Sequence, residues 1–155
     1  MFSLDKKMIL FLVVLFIALC IATFLIVKSE QMRRLLSLGE DIWSVTVGGK
    51  VYSLDRADTV EKLALGLGKR DSLCETCAMI FVFDEAGVYS FWMKDMRFPI
   101  DIAWILDGRI VHLERRVSPE RREIFHPTSK ASTVLEFNAG SLDSVQLSDR
   151  VIFSP

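Results

Sequence analysis

Four side chains have the types and spacing of a polar site: Trp92, Lys94, Asp101 and Glu136. If VYSFWMK is a strand, alternation puts Val88, Ser90, Trp92 and Lys94 on one face and Tyr89, Phe91 and Met93 on the other. Glu136 lies inside the apolar run TVLEFN, where a carboxylate is costly to bury unless it is paired. Lys94 is the available cation, and Asp101, placed just after the break at Pro99, is a second acid. The expectation is that Lys94 lies within ion-pair or water-bridge reach of Asp101 or Glu136, with Trp92 lining the same depression. Three uses of such a cluster compete. An aromatic face beside charged groups suits a small or polymeric polar ligand such as a sugar. Paired carboxylates with a cation suit an envelope enzyme. A plain ion pair sealing the end of a barrel belongs to a structural or interaction module.

Cys74 and Cys77 form a C-x-x-C. A catalytic dithiol of the thioredoxin kind opens a helix after a strand, whereas CETC follows a polar turn and leads into the apolar run AMIFVF. A local structural disulfide is the expectation, with free thiols and a redox pair as the alternatives. Zinc would need two further ligands, and the remaining cysteine, Cys20, lies in an apolar N-terminal run. His112 and His126 stand in different elements, so no metal is expected. GLGKRDS lacks the spacing of a nucleotide loop and no G-x-S-x-G elbow occurs, so no cofactor is expected either.

The chain of 155 residues carries 19 Lys and Arg against 20 Asp and Glu, which argues against a nucleic-acid partner. The run MILFLVVLFIALCIATFLIV, Met8 to Val27, contains no charge, proline or glycine. At about 1.5 Å per residue it covers roughly the 30 Å hydrocarbon core and reads as a transmembrane helix. A cleaved signal peptide would have a shorter apolar region ending in small residues, and a lipoprotein reading of Cys20 meets Leu19 where a small residue belongs. An uncleaved anchor over residues 1–28 is favoured, followed by a juxtamembrane linker over 29–41 and a β-rich domain over 42–155. Lys6 and Lys7 before the run and Lys28, Arg33 and Arg34 after it nearly balance. The cationic start followed at once by the apolar run favours the domain outside the cytoplasm. The membrane is then one partner, and a glycan or other envelope component is a candidate second.

These residues must be positioned by short strands. WSVTV, the turn Gly48–Gly49 and KVYSL make a hairpin. Asp58 as N-cap with Glu61 three residues on opens a short helix over TVEKLALGL. MIFVF, DEAG and VYSFWM read as a second hairpin, and IDIAWI, LDGR and IVHLERRV as a third. SPERREIFHPTSKAS reads as a polar loop, TVLEFNAG as a strand, and RVIF as the last strand. The pattern predicts a mainly β fold, an antiparallel sandwich or barrel with one short helix.

Over nearly all of the region from Leu63 to Phe153, the segments LGLGKRDSL, AMIFVFDEAGVYSFWMKDMRFPIDIAWILDGRIV, TVLEFNAG and LSDRVIF, in this order, resemble family 192 of domains of unknown function. The central resemblance is Phe91, Trp92, Met93, Lys94, then Pro99, Ile100 and Asp101. Ala78, Asp95 and Ser148 depart from the residues usual in that family, glycine, asparagine and glycine respectively. The resemblance implies a β-rich domain found in bacteria and archaea, often behind an export signal or anchor, and no established activity.

Overall fold

A computed structural model describes residues 44–155 of the chain. The expected anchor and linker, Cys20 and the expected start of the domain at Ile42 lie outside the described residues. Among the described residues no helix is long and apolar enough to cross a membrane.

The first hairpin forms as its turn residues dictate. Strand β1 (Ser44–Val47) pairs antiparallel with β2 (Lys50–Arg56), and Gly48 and Gly49 supply the φ values of 58° and 76° that the tight turn needs. Helix α1 (Val60–Leu65) starts one residue later than Asp58 predicts. Thr59 is extended and its hydroxyl accepts from the Lys62 N–H at 3.1 Å, so Thr59 is the cap. Asp58 instead pairs with the Lys62 ammonium at 3.1 Å.

The predicted second hairpin does not form. Strand β3 (Cys77–Gly87) runs on through DEAG, where a register shift between Val82 and Gly87 absorbs those residues as a bulge. Strand β4 (Phe91–Trp92) leaves the sheet and pairs with β7 (Ile124–Phe125), which lies inside the segment read as a polar loop. The third hairpin is present as β5 (Ile100–Leu106) and β6 (Arg109–Val117). Strands β8 (Ala131–Asn138) and β9 (Ile152–Ser154) complete the set.

Seven strands form one sheet in the order β6-β5-β8-β3-β2-β1-β9. The fold is mainly β with one short helix, but the sheet is a curled half-barrel and is not wholly antiparallel. Strands β2 and β3 run parallel, joined by a crossover that contains α1. Curling brings the two edges together: Arg109 bridges Arg150, and the Val151 N–H donates to the Gly108 carbonyl at 2.9 Å.

Alternation then creates two cores. Ala78, Ile80, Ala103, Ile105, Leu135 and Phe137 face one side of the sheet with Tyr52 and Leu142. Met79, Phe81, Ile102, Trp104 and Val134 face the other, under the β4–β7 ribbon and the segment after α1. Because the central strands are covered on both sides, β5 reads as a continuous apolar run interrupted only by Asp101.

Candidate functional site

Glu136 lies opposite Met79 on one neighbouring strand and Ile102 on the other, and so belongs to the second core face. Its side chain is 4 % exposed. The Leu67 N–H donates to its Oε2 at 3.3 Å, and this is its one hydrogen bond among the described residues. Oε1 has no hydrogen-bond partner among the described residues. Glu136 lines a depression of about 200 Å³ with α1 residues, Gly66 and aromatic side chains. Burial pushes the Glu136 carboxyl up to about 7, opposed by the Leu67 N–H and by the charge of Arg70. Arg70 is itself paired with Asp55 at 2.6 Å. A carboxyl with that pKa can donate or accept a proton, and can meet a ligand hydroxyl in either state.

The loop over this floor demands glycine. Gly66 has a φ of 56°, and a Cβ there would stand 3.1 Å from Glu136 Oε2 and 3.4 Å from Phe81 Cζ. The walls are aromatic: Phe83 stacks on Tyr89 with centroids 3.5 Å apart, and Phe91 meets Phe81 edge-on at 4.9 Å. The Trp104 indole holds the Tyr89 carbonyl at 2.7 Å, fixing the chain that enters β4. These aromatic positions, and the Ser90 hydroxyl within 2.7 Å of His126 Nδ1, are site features that sequence reasoning missed. The β7 signal that would have revealed them is two residues long.

Of the four residues singled out in the sequence, the structure brings together Trp92 and Glu136, which line the same depression. Trp92 and Lys94 are neighbours as alternation predicts, with the ammonium 5.3 Å from the indole centroid. The expected ion pair is absent: among the described residues Lys94 pairs with neither Asp101 nor Glu136. Beyond Met93 the chain turns through Lys94 and Asp95, the latter with a φ of 59°, and Lys94 is exposed.

Asp101 is turned to the opposite side of the sheet. Its register partner is Phe137, whereas that of Glu136 is Ile102, so the two acids project from opposite faces. Fully buried, Asp101 accepts from the Arg116 N–H at 2.7 Å and the Leu142 N–H at 2.8 Å. It thereby ties down the bulge in the β5–β6 pairing, where Arg116 has a φ of 51°, and the turn after β8. The two carboxylates do not form a catalytic pair in this geometry.

Cys74 and Cys77 are disulfide-bonded. The Asn138 amide donates to the Leu73 and Cys74 carbonyls at 3.1 and 2.9 Å, fastening this loop to the end of β8. Among the described residues no group of three His, Cys, Asp or Glu could hold a metal ion.

Two solved structures are similar to this chain. A protein of unknown function from Novosphingobium aromaticivorans is 28% identical, with a TM-score of 0.67 over 72% of this chain and 84% of its own. A protein from Sinorhizobium meliloti, named as a candidate transcription regulator, is 24% identical, with a TM-score of 0.65 over 71% of this chain and 90% of its own; that likeness is one of fold alone. No curated protein matches the sequence. The family model described as "Uncharacterized ACR" matches residues 43–153, from the residue before β1 into β9. The chain therefore belongs to family 192 of domains of unknown function.

Proposed function

We propose that the domain is a ligand-binding module, held outside the cytoplasm by the apolar run Met8 to Val27, and that its site is the aromatic depression over Glu136. The observation that carries the reading is a protonatable carboxyl lining a depression walled by Phe81, Phe83, Tyr89, Phe91 and Trp92. Such a carboxyl would be better replaced by an apolar side chain if the depression only served packing. At about 200 Å³ the space is smaller than that of most drug-sized ligands, roughly 300 Å³ and upwards, and suits one ring or the end of a polymer. The disulfide supports the placement outside the cytoplasm, because such bonds persist in oxidising compartments.

The test is calorimetric titration of the full chain, in mild detergent, with a panel of mono- and disaccharides and soluble envelope-glycan fragments. Binding that is lost in Trp92→Ala and altered in Glu136→Gln, with the unfolding temperature of Trp92→Ala unchanged, is the expected result. Binding that both variants leave intact would place the site elsewhere.

A further inference from the structure

We infer that the ligand is an acidic saccharide, with its ring in the aromatic depression and its carboxylate or phosphate in a cationic notch on the other side of Trp92. The inference rests on the ligand-binding reading above and names the class of ligand.

The notch lies at one end of the β4–β7 ribbon. Trp92 lies opposite Ile124. Carried one step outwards along the same face, that register sets Ser90 opposite His126, which agrees with their 2.7 Å contact. At the other end of the ribbon, where the pairing has ended, Lys94 and Arg122 line a second depression of about 220 Å³ with Trp92, Met93 and Arg121. Like charges lining one depression repel, and an anion between them relieves the repulsion. Arg121 is committed, since it pairs with Glu123 and its guanidinium stands 4.8 Å from the Phe125 centroid. Among the described residues no carboxylate pairs with Lys94 or Arg122. The chain as a whole has a net charge of -1, so this local excess of positive charge is not part of a generally basic surface.

The ribbon also leaves apolar area uncovered beside these charges: Trp92 is 52 % exposed and Ile124 is 50 % exposed. Trp92 is the shared wall of the notch and of the depression over Glu136. A sugar ring offers an apolar face to an aromatic wall and hydroxyl groups to Ser90 and Glu136, which both line that depression. An acidic substituent reaching past the indole would meet two donors, the Lys94 ammonium and the Arg122 guanidinium, whose charge-assisted hydrogen bonds are about twice as strong as neutral ones.

Four probes separate the parts of this inference: methyl β-glucoside, methyl β-glucuronide, glucose 6-phosphate and inorganic phosphate, each titrated against the full chain. The two acidic sugars are expected to bind about tenfold more tightly than the neutral glucoside, a difference of about 1.4 kcal/mol. Their advantage should shrink as salt is added and should vanish in Lys94→Gln/Arg122→Gln, whose affinity for the neutral sugar stays the same. Equal affinity for acidic and neutral sugars, lost in Trp92→Ala, would overturn the acidic ligand while leaving the ligand-binding reading in place. Inorganic phosphate bound as tightly as glucose 6-phosphate would overturn the saccharide. Failure of all four probes would overturn the inference, and the wider panel described above would then decide the underlying reading.

Discussion

Glu136→Gln should make the stability of the domain independent of a proton that the folded state now holds. The buried carboxyl is pushed from an ordinary value of 4.5 to about 7, chiefly because burial disfavours its charged form. Between those values the folded chain binds the proton and the unfolded chain does not, so stability falls as pH rises. The loss is absent below about 4.5 and complete above about 7. At about 1.4 kcal/mol per pH unit, the displacement is worth about 3 kcal/mol. Glutamine keeps a carbonyl that can accept from the Leu67 N–H and carries no charge, so it removes the titration with little change in shape. Urea unfolding of both proteins from about pH 5 to about pH 8, followed by the far-ultraviolet signal of the sheet, gives the two stability curves. The difference between them isolates Glu136 from every other titrating group. The variant should gain on the parent as pH rises, by up to about 3 kcal/mol. Parallel curves across this range would refute the reasoning, because they would mean that the carboxyl titrates alike in the folded and unfolded chains.

Asp101→Ala should destabilise the domain by about 3 kcal/mol, since it strands the buried Leu142 N–H and the part-buried Arg116 N–H; a loss under about 1 kcal/mol in urea melts would show that water replaces the carboxylate. Changing Cys74 and Cys77 to serine should lower stability by about 2 kcal/mol, as expected for a very short closed loop, and leave any ligand response intact. Rapid reversible thiol exchange at that pair would instead restore a redox role. Gly66→Ala should cost about 1–3 kcal/mol from backbone strain alone, and a crystal structure should show the α1 exit displaced from Glu136; an unshifted loop of unchanged stability would contradict the close approach described here. The full chain should stay with membranes through alkaline carbonate washing, while a chain lacking residues 1–28 should not; recovery of the full chain in the wash would rule out the anchor.

Much of the sheet was legible because turn chemistry and alternation agree. Gly48–Gly49 and Asp107–Gly108 each sit between alternating or apolar runs, and both hairpins form there. The β4–β7 ribbon was not legible, because Ile124 and Phe125 are too few to show a period, and the bulge at DEAG has the composition of a turn. The parallel pairing of β2 and β3 leaves no local signature either, since it depends on a crossover. In the candidate site, the isolation of Glu136 in an apolar strand pointed correctly to an unusual carboxyl. Its supposed partnership with Asp101 depended on register, and a one-residue step between strands sends a side chain to the other face. The sequence shows each acid in an apolar setting but not that Ile102, the residue after Asp101, is the one that lies beside Glu136.

The central claim, that the aromatic depression over Glu136 receives a ligand, is tested most directly at the indole N–H of Trp92 by NMR, with the full chain titrated with the saccharide panel. The account predicts that the Trp92 resonance shifts and saturates with the ligand, accompanied by the backbone amides of Gly66 and Leu67 above the carboxyl. Binding that shifts other resonances and leaves Trp92, Gly66 and Leu67 unmoved would contradict it.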